Sequence, residues 1–215
     1  MVGATSCERS GALCFLSQGS ASLAAMIPSD VFREITELLE KAGILYMLTG
    51  SWASNYHGAP RSTADIDFVI SATPFQIQAF LKLVPSSEYY FDIPTAIEAA
   101  QKRSMFNVIS DKTGWKIDLI FHKPGPFNDE KLRRRKKVEL EGIPVFVATA
   151  EDVILSKLEW AKMGESLRQI EDAAGILKVQ GKDLDLNYLE NWVDKLGLSN
   201  QWASARKAAA IFNQQ

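Results

Sequence analysis

The hydrophobic pattern of the chain alternates between two periods, one typical of strands and one typical of helices. Apolar and polar residues alternate at 65–70 and at 115–121, which predicts two strands with one apolar face each. Apolar residues spaced three and four apart, together with Pro and Gly at segment ends, predict helices. The predicted helices cover 29–43, 74–85, 94–102, 149–164, 167–179, 185–196 and 199–212.

Other stretches complete a predicted sheet. The apolar run 44–48 and the stretch 105–109 are predicted strands, 138–147 is a predicted hairpin around Gly142, and 88–91 is ambiguous. Strands mixed with helices, then helices alone from Thr149, predict an α/β or α+β fold. We expect one mixed sheet flanked by helices at 28–148, a C-terminal helical region at 149–215 and a flexible tail at 1–27.

Composition narrows the class of protein. The 215 residues are 47% hydrophobic and 23% charged, with a net charge of −2, which gives no general attraction to nucleic acid or membranes. No run approaches the roughly 18 apolar residues of a membrane span. The cysteines, Cys7 and Cys14, both lie in the predicted tail and indicate neither a disulfide framework nor a thiolate metal site. We expect a cytoplasmic protein without a membrane partner.

The strand at 65–70 carries two acids on one face. Ile66, Phe68 and Ile70 form its apolar face, and Asp65 and Asp67 lie on the other. Neighbouring carboxylates repel by about 3–4 kcal/mol at an effective dielectric of about 20. They are therefore fully solvated, or one is protonated, or a cation lies between them. A solvated strand edge explains the isolated pattern equally well, whereas a cation with oxygen ligands would be Mg²⁺.

Two further features favour a site for phosphate and metal. Gly50 and Ser51 follow the strand at 44–48, and a glycine lets the backbone approach a ligand closely. A helix opening there would direct unpaired N–H groups towards a phosphate. Asp118 is the single acid of the strand at 115–121 and lies opposite its apolar face. A third carboxylate on a neighbouring strand would complete a metal cluster.

In combination, these residues resemble a known signature. Gly50-Ser51, the pair Asp65 and Asp67, and the later Asp118 resemble the motif of the nucleotidyltransferase superfamily related to DNA polymerase beta. The wider pattern is similar to the minimal and AbiEii-like toxin branch of that superfamily over roughly residues 30 to 180. That pattern comprises Thr49-Gly-Ser-x-Ala53, His57-Gly58 and Arg61-x-Thr63-x-Asp65-Ile-Asp67.

The resemblance implies an enzyme that moves a nucleoside monophosphate from an NTP to a hydroxyl. Asp65, Asp67 and Asp118 would hold two Mg²⁺ ions, and Asp118 would assist deprotonation of the acceptor. Gly50 and Ser51 would hold the β- and γ-phosphates. The acceptor would be RNA or tRNA, a protein or a small molecule. The toxin-like branch suggests a toxin–antitoxin role with an antitoxin partner.

The resemblance also implies three supporting residues. Lys157 would bind the triphosphate, and Asp172 would orient Lys157 or act as a base. Arg61 would bind phosphate or pair with a site aspartate. For each of these residues the structural alternative is an ordinary ion pair. The basic run 133–137 is either a patch for phosphate or nucleic acid, or a solvated helix end balanced by nearby acids, which we favour.

Two other classes of function compete with the enzyme. A non-catalytic nucleotide- or partner-binding module of the same fold should have lost an acid or the Gly-Ser pair, and this chain keeps Gly50, Asp65, Asp67 and Asp118. A nucleic-acid-binding protein without chemistry would need more basic surface than a net charge of −2 provides.

Overall fold

The computed structural model describes residues 29–164 and 166–212, so the predicted tail at 1–27 lies outside the described residues. The described strands are β1 Leu45–Leu48, β2 Asp65–Ser71, β3 Tyr89–Tyr90, β4 Met105–Ser110, β5 Lys116–Phe121, β6 Lys136–Leu140 and β7 Ile143–Val147. They form one seven-stranded sheet in the order β3-β4-β5-β2-β1-β7-β6. The sheet is mixed, since β2 runs parallel to β5 and antiparallel to β1.

Helices flank this sheet and form the C-terminal region, which confirms the predicted fold class. The described helices are α1 Ser29–Lys41, α2 Gly50–His57, α3 Pro74–Leu83, α4 Ile93–Lys102, α5 Pro126–Arg134, α6 Ala150–Gly164, α7 Leu167–Gln180, α8 Leu186–Leu196 and α9 Ser199–Phe212. Within residues 29–164 and 166–212, none of them has both the length and the apolar character that crossing a membrane requires.

Strand β2 has one apolar face and one acidic face. Ile66, Phe68 and Ile70 are fully buried, and the residues between them are only partly buried. Phe32 of α1 stacks on Phe68 with ring centroids 5.8 Å apart, so α1 covers the apolar face. Because side chains alternate along a strand, Asp65 and Asp67 lie on the other face, as predicted.

Tight turns join the strands of the two hairpins, β4–β5 and β6–β7. The β4–β5 hairpin turns at Gly114, whose φ is +74° and whose N–H donates to the Ser110 carbonyl at 2.7 Å. The β6–β7 turn has positive φ at both Glu141 and Gly142, a conformation that two-residue hairpin turns favour. Both hairpins confirm the turn signals of the sequence, and the ambiguous stretch 88–91 contains the short strand β3.

The start of α6 is held by a buried polar network. Thr149 accepts a bond from the Asp152 N–H at 3.3 Å and donates its hydroxyl to the Asp152 carboxylate at 2.8 Å. Asp152 also accepts from the Tyr188 hydroxyl of α8 at 2.6 Å and from Arg134 at 3.3 Å. A buried charge needs such partners, and these fix the position of α6, which carries Lys157.

Candidate active site

The acids of β2 meet β5 in direct register. Asp67 is the Cα partner of Asp118, and Asp65 is the partner of Lys116. Adjacent strands lie about 4.8 Å apart, so Asp67 and Asp118 are neighbours on one face of the sheet. The sequence predicted that the two strands would share an acidic face, and the parallel pairing brings their carboxylates together.

Each oxygen of the Asp118 carboxylate has a partner. Asn107 of β4 donates its amide N–H to Oδ1, and Lys116 Nζ lies 3.1 Å from Oδ2. The same ammonium lies 3.3 Å from Asp65 Oδ1. Burial lowers the pKa of Lys116, but its bonds to Asp118 and Asp65 outweigh that effect and raise it. Lys116 is therefore a cation that Asp65 and Asp118 share, and it offsets one of their two negative charges.

Asp67 is the acid whose charge is least compensated. Burial, then the charges of Asp118 and Asp65, raise the pKa of Asp67 to about 6. The charge of Lys157 and a bond from the Ser51 N–H oppose that rise. Asp65 and Asp118 share the single Lys116 ammonium, so part of their negative charge still acts on Asp67. A divalent cation bound at these acids would relieve this repulsion.

Gly50 is required by the way that β1 ends against Asp67. The Thr49 N–H donates to the Asp67 carbonyl at 2.9 Å, and Gly50 then turns with φ at +62° into α2. A Cβ on Gly50 would lie within 2.7 Å of Asp67 Cγ. Only glycine fits this turn, both for its φ and for its space.

A cationic network lies behind Ser51. Arg61 forms a bidentate pair with Asp172, at 2.7 and 2.8 Å, and donates a further bond to Ser51 Oγ at 2.8 Å. Lys157 Nζ donates to Asp172 at 2.7 Å. Asp172 therefore pairs with both Arg61 and Lys157. The roles of these three residues towards a triphosphate stay predictions.

The loop that carries Arg61 is clamped by α2. The Asn55 amide donates to the Arg61 carbonyl at 2.7 Å and accepts from the Arg61 N–H at 3.0 Å. His57, at the end of α2, bonds to the Ala148 carbonyl at 2.7 Å, and burial lowers its pKa. His57 is thus an uncharged anchor between α2 and the start of α6.

One cavity of about 290 Å³ collects the predicted phosphate-binding residues. Its polar side has the turn at Gly50 and Ser51, the Asp67 carboxylate and the Lys157 side chain. Asp65, Asp118, Arg61 and Asp172 adjoin this set but do not line the cavity. Its apolar side has Ile120, Val153 and Trp160.

The donor set fits a divalent cation at Asp67 and Asp118. Both offer carboxylate oxygens, and Mg²⁺ is usually held by one or two carboxylates together with substrate phosphates. Within the described ranges, no three His, Cys, Asp or Glu side chains are disposed to bind one metal ion. Lys116 Nζ stands between Asp65 and Asp118. The site of three carboxylates and two ions stays a prediction, which requires that Lys116 move.

Several residues of the site escaped the sequence reasoning. Lys116 had a readable signal, because it precedes Asp118 by two positions and so shares its face. Trp160 is three residues beyond Lys157 and therefore lies on the same side of α6. Asn107 and Asn55 gave no signal, since their roles depend on strand pairing and on the path of a loop.

The basic run 133–137 is partly neutralised by nearby acids. Arg133 pairs with Glu130 at 2.6 Å, and Arg134 pairs with Glu151 at 3.2 Å. Arg135 lies over the Phe146 ring at 4.9 Å from its centroid. This arrangement favours the predicted alternative of a balanced helix end.

Comparisons with known proteins give likeness of fold only. No protein-family model matches the sequence, and no curated protein matches it. A lincomycin-bound lincosamide antibiotic adenylyltransferase, LnuA, aligns at 13% identity over 72% of this chain and 98% of its own, with a TM-score of 0.49. An antigenic nucleotidyltransferase-like protein from Paracoccidioides brasiliensis aligns at 16% identity over 81% of this chain and 91% of its own, with a TM-score of 0.48. The antibiotic-resistance factor ANT(2'')-Ia aligns at 12% identity over 86% of this chain and 90% of its own, with a TM-score of 0.46. Because these TM-scores are below 0.5, we base the function on the geometry of the site.

Proposed function

We propose that the chain is a Mg²⁺-dependent nucleotidyltransferase that moves a nucleoside monophosphate from an NTP to a hydroxyl acceptor. One observation carries the proposal: the Gly50–Ser51 turn, Asp67 and the Lys157 ammonium line one cavity although they come from separate elements. A close backbone turn, an acid next to a second acid, and a buried cation are the parts that a metal-bound triphosphate needs.

The protein's contribution is to position and neutralise the triphosphate. The Gly50 backbone would approach the phosphates closely, and the Lys157 ammonium would offset their charge. Asp172 would keep Lys157 in place through the bond that joins them at 2.7 Å. Asp67 and Asp118 would hold Mg²⁺, with Asp65 joining once Lys116 leaves. When bound, Mg²⁺ would neutralise the developing charge and lower the pKa of the attacking hydroxyl.

The transfer then balances as an in-line displacement. The acceptor oxygen forms a bond to the α-phosphorus, the bond to the bridging oxygen breaks, and pyrophosphate leaves with that electron pair. Asp118 would take the acceptor proton, for which its Oδ2 must first be released by Lys116. We extend the proposal to a cytoplasmic enzyme whose acceptor is RNA, a protein or a small molecule, with a toxin–antitoxin role supported by the sequence resemblance.

Nucleotide transfer tests the proposal directly. The protein is incubated with Mg²⁺, each α-labelled NTP in turn, and a mixture of total RNA and cell lysate, beside an Asp67→Asn control. We expect label on one acceptor class with the native protein and none with the control. Label that persists in Asp67→Asn, or absence of both transfer and Mg-NTP binding by calorimetry, would contradict the proposal.

One observation favours the second candidate, a non-catalytic nucleotide-binding module. Lys116 Nζ already pairs with both Asp65 and Asp118, as it would in a protein that never binds a metal there. This candidate predicts NTP binding that is equally tight with Mg²⁺ and with EDTA. The enzyme predicts binding that weakens strongly in EDTA, because Mg²⁺ would neutralise both the acids and the phosphates.

A further inference from the structure

Helix α6 presents a continuous stripe to the cavity. Val153, Ser156, Lys157 and Trp160 all line it, at the spacing of three and four residues that defines one helix face. Val153 and Lys157 are buried, and they lie on the inner part of the stripe. Trp160 is three residues further along, about 4.5 Å at the rise of an α-helix, so it stands at the rim.

The ring of Trp160 is largely exposed. Its exposed fraction is 61%, whereas the site-proximal Trp52 has 1%. Among residues 29–164 and 166–212, no aromatic ring or cation stacks on Trp160. Trp160 also lines the cavity, so its exposed ring is available to stack on a flat ligand group bound there.

A second side chain of the cavity, Gln169, has a buried hydrogen-bond acceptor. Gln169 of α7 lines the cavity, and its buried side-chain oxygen Oε1 has no hydrogen-bond partner among the residues that the structure describes. A buried amide oxygen that lacks a donor costs free energy unless a ligand or water supplies one. Gln169 Oε1 therefore needs a donor from whatever occupies the cavity.

The cavity has room for phosphates but little more. Its volume of about 290 Å³ lies at the lower limit of ligand pockets. Phosphates bound at Gly50, Ser51 and Lys157 would fill part of this volume. The nucleoside would then extend towards Gln169 and the exposed Trp160, which line the same cavity.

We propose that Trp160 is the stacking platform for the base of the bound NTP and that Gln169 Oε1 accepts a hydrogen bond from its nucleoside. This inference rests on the proposed function and names the residues that recognise the nucleoside part of the substrate. Trp160 and Gln169 bind the nucleoside and make no contact with the triphosphate, so their contribution depends on the presence of a base and a sugar.

Calorimetry with two ligands tests the inference. Mg-NTP and Mg-tripolyphosphate, which lacks base and sugar, are titrated into the native protein and into Trp160→Leu, Trp160→Phe and Gln169→Leu. Stacking on one ring changes affinity by roughly 5- to 150-fold. We expect Trp160→Leu to weaken NTP binding within that range, Trp160→Phe to retain most of it, and Gln169→Leu to weaken it several-fold. Tripolyphosphate affinity should stay within about twofold for all three.

Met163→Ala is the matched control, because Met163 is exposed one turn further along α6 and does not line the cavity. Equal effects of Trp160→Leu on both ligands, no effect on either, or an effect no larger than that of Met163→Ala, would overturn the inference and leave the proposed function standing. If the native protein bound neither Mg-NTP nor Mg-tripolyphosphate, both the inference and the proposed function would be overturned.

Discussion

At the scale of single residues, Asp67 is a carboxylate whose environment opposes its charge. Burial and the neighbouring acids raise its pKa to about 6. The folded protein therefore binds a proton at Asp67 more tightly than the unfolded chain does. By linkage, stability falls as pH rises from the unfolded pKa near 4 through the folded pKa near 6.

Asp67→Asn should therefore stabilise the nucleotide-free protein at high pH. At pH 8 we expect a gain in the free energy of unfolding on the order of 2 kcal/mol, because the amide removes the uncompensated charge. The gain should shrink as pH falls through 6 and vanish near pH 4, where Asp67 is protonated. Urea unfolding across this pH range measures it. Asp111→Asn, an exposed turn residue, is the control, and a gain independent of pH would contradict the assignment.

Lys116 is the second residue whose charge decides the state of the site. Lys116→Met should make Mg²⁺ or Mn²⁺ bind the nucleotide-free protein roughly fivefold more tightly, since a half-exposed ion pair is worth up to about 1 kcal/mol. Without metal, the same variant should unfold at a lower temperature, because Asp65 and Asp118 lose their counter-charge. Calorimetric titration and thermal melts with EDTA measure the two effects.

Lys112→Met is the control for that experiment, since Lys112 is an exposed lysine in the adjacent β4–β5 turn. Metal affinity that is unchanged or weaker in Lys116→Met would mean that the ammonium does not compete with a cation for these carboxylates.

At the scale of elements, the junction of β1 and α2 determines how closely the backbone approaches Asp67. The turn combines positive φ at Gly50 with a space that no Cβ fits. Gly142, in the β6–β7 turn, has a similar φ of +72°, but no atom of the described residues outside the turn lies within 4 Å of the point where its Cβ would stand. A substitution at Gly142 therefore tests backbone strain alone, whereas a substitution at Gly50 tests backbone strain together with crowding of the site.

Gly50→Ala should be more destabilising than Gly142→Ala. Both substitutions cost about 1–2 kcal/mol because an L-residue is strained at this φ. Gly50→Ala must also displace the Asp67 side chain, so we expect a larger loss of unfolding free energy in urea and loss of Mg-NTP binding. Equal losses for the two variants, with nucleotide binding intact in both, would rule out a role of crowding.

At the scale of the whole molecule, the helical region and the sheet share one hydrophobic core. The cluster of buried residues extends from Phe32 in α1 through Phe68 in β2 and Leu158 in α6 to Ala205 in α9. One polar link between the two parts is Asp172 of α7, which pairs with Arg61 in the α2–β2 loop and with Lys157 in α6. The candidate site therefore lies where the sheet and the helical region meet.

Asp172→Ala should weaken this junction strongly. It leaves two cations without their carboxylate, one of them buried, and breaking a buried ion pair typically costs about 3–5 kcal/mol. We expect a loss of that size in urea, together with weaker Mg-NTP binding. Glu171→Ala, an exposed neighbour on the same helix, should change little. Similar stability of the two variants would mean that Asp172 does not hold the parts together.

The sequence by itself determined the local features of this protein. The alternation in β2 separates Asp65 and Asp67 from the apolar face, because a strand has a period of two whatever its partners are. Gly50, Gly114 and Gly142 mark turns that the structure has, since positive φ is a local requirement. The periodic runs likewise predicted the C-terminal helices α6 to α9, and with them the fold class.

Only the tertiary structure decided which of these local features meet. Three features depend on contacts between elements far apart in the chain. They are the pairing of Lys116 with Asp65 and Asp118, the pairing of Arg61 with Asp172, and the position of Trp160 beside the cavity. Such contacts follow from strand order, register and helix packing, which a single sequence does not encode in any local period. The acids Asp65, Asp67 and Asp118 and the cations Arg61 and Lys157 were therefore visible in the sequence, whereas the partner that each of them takes became visible only in the fold.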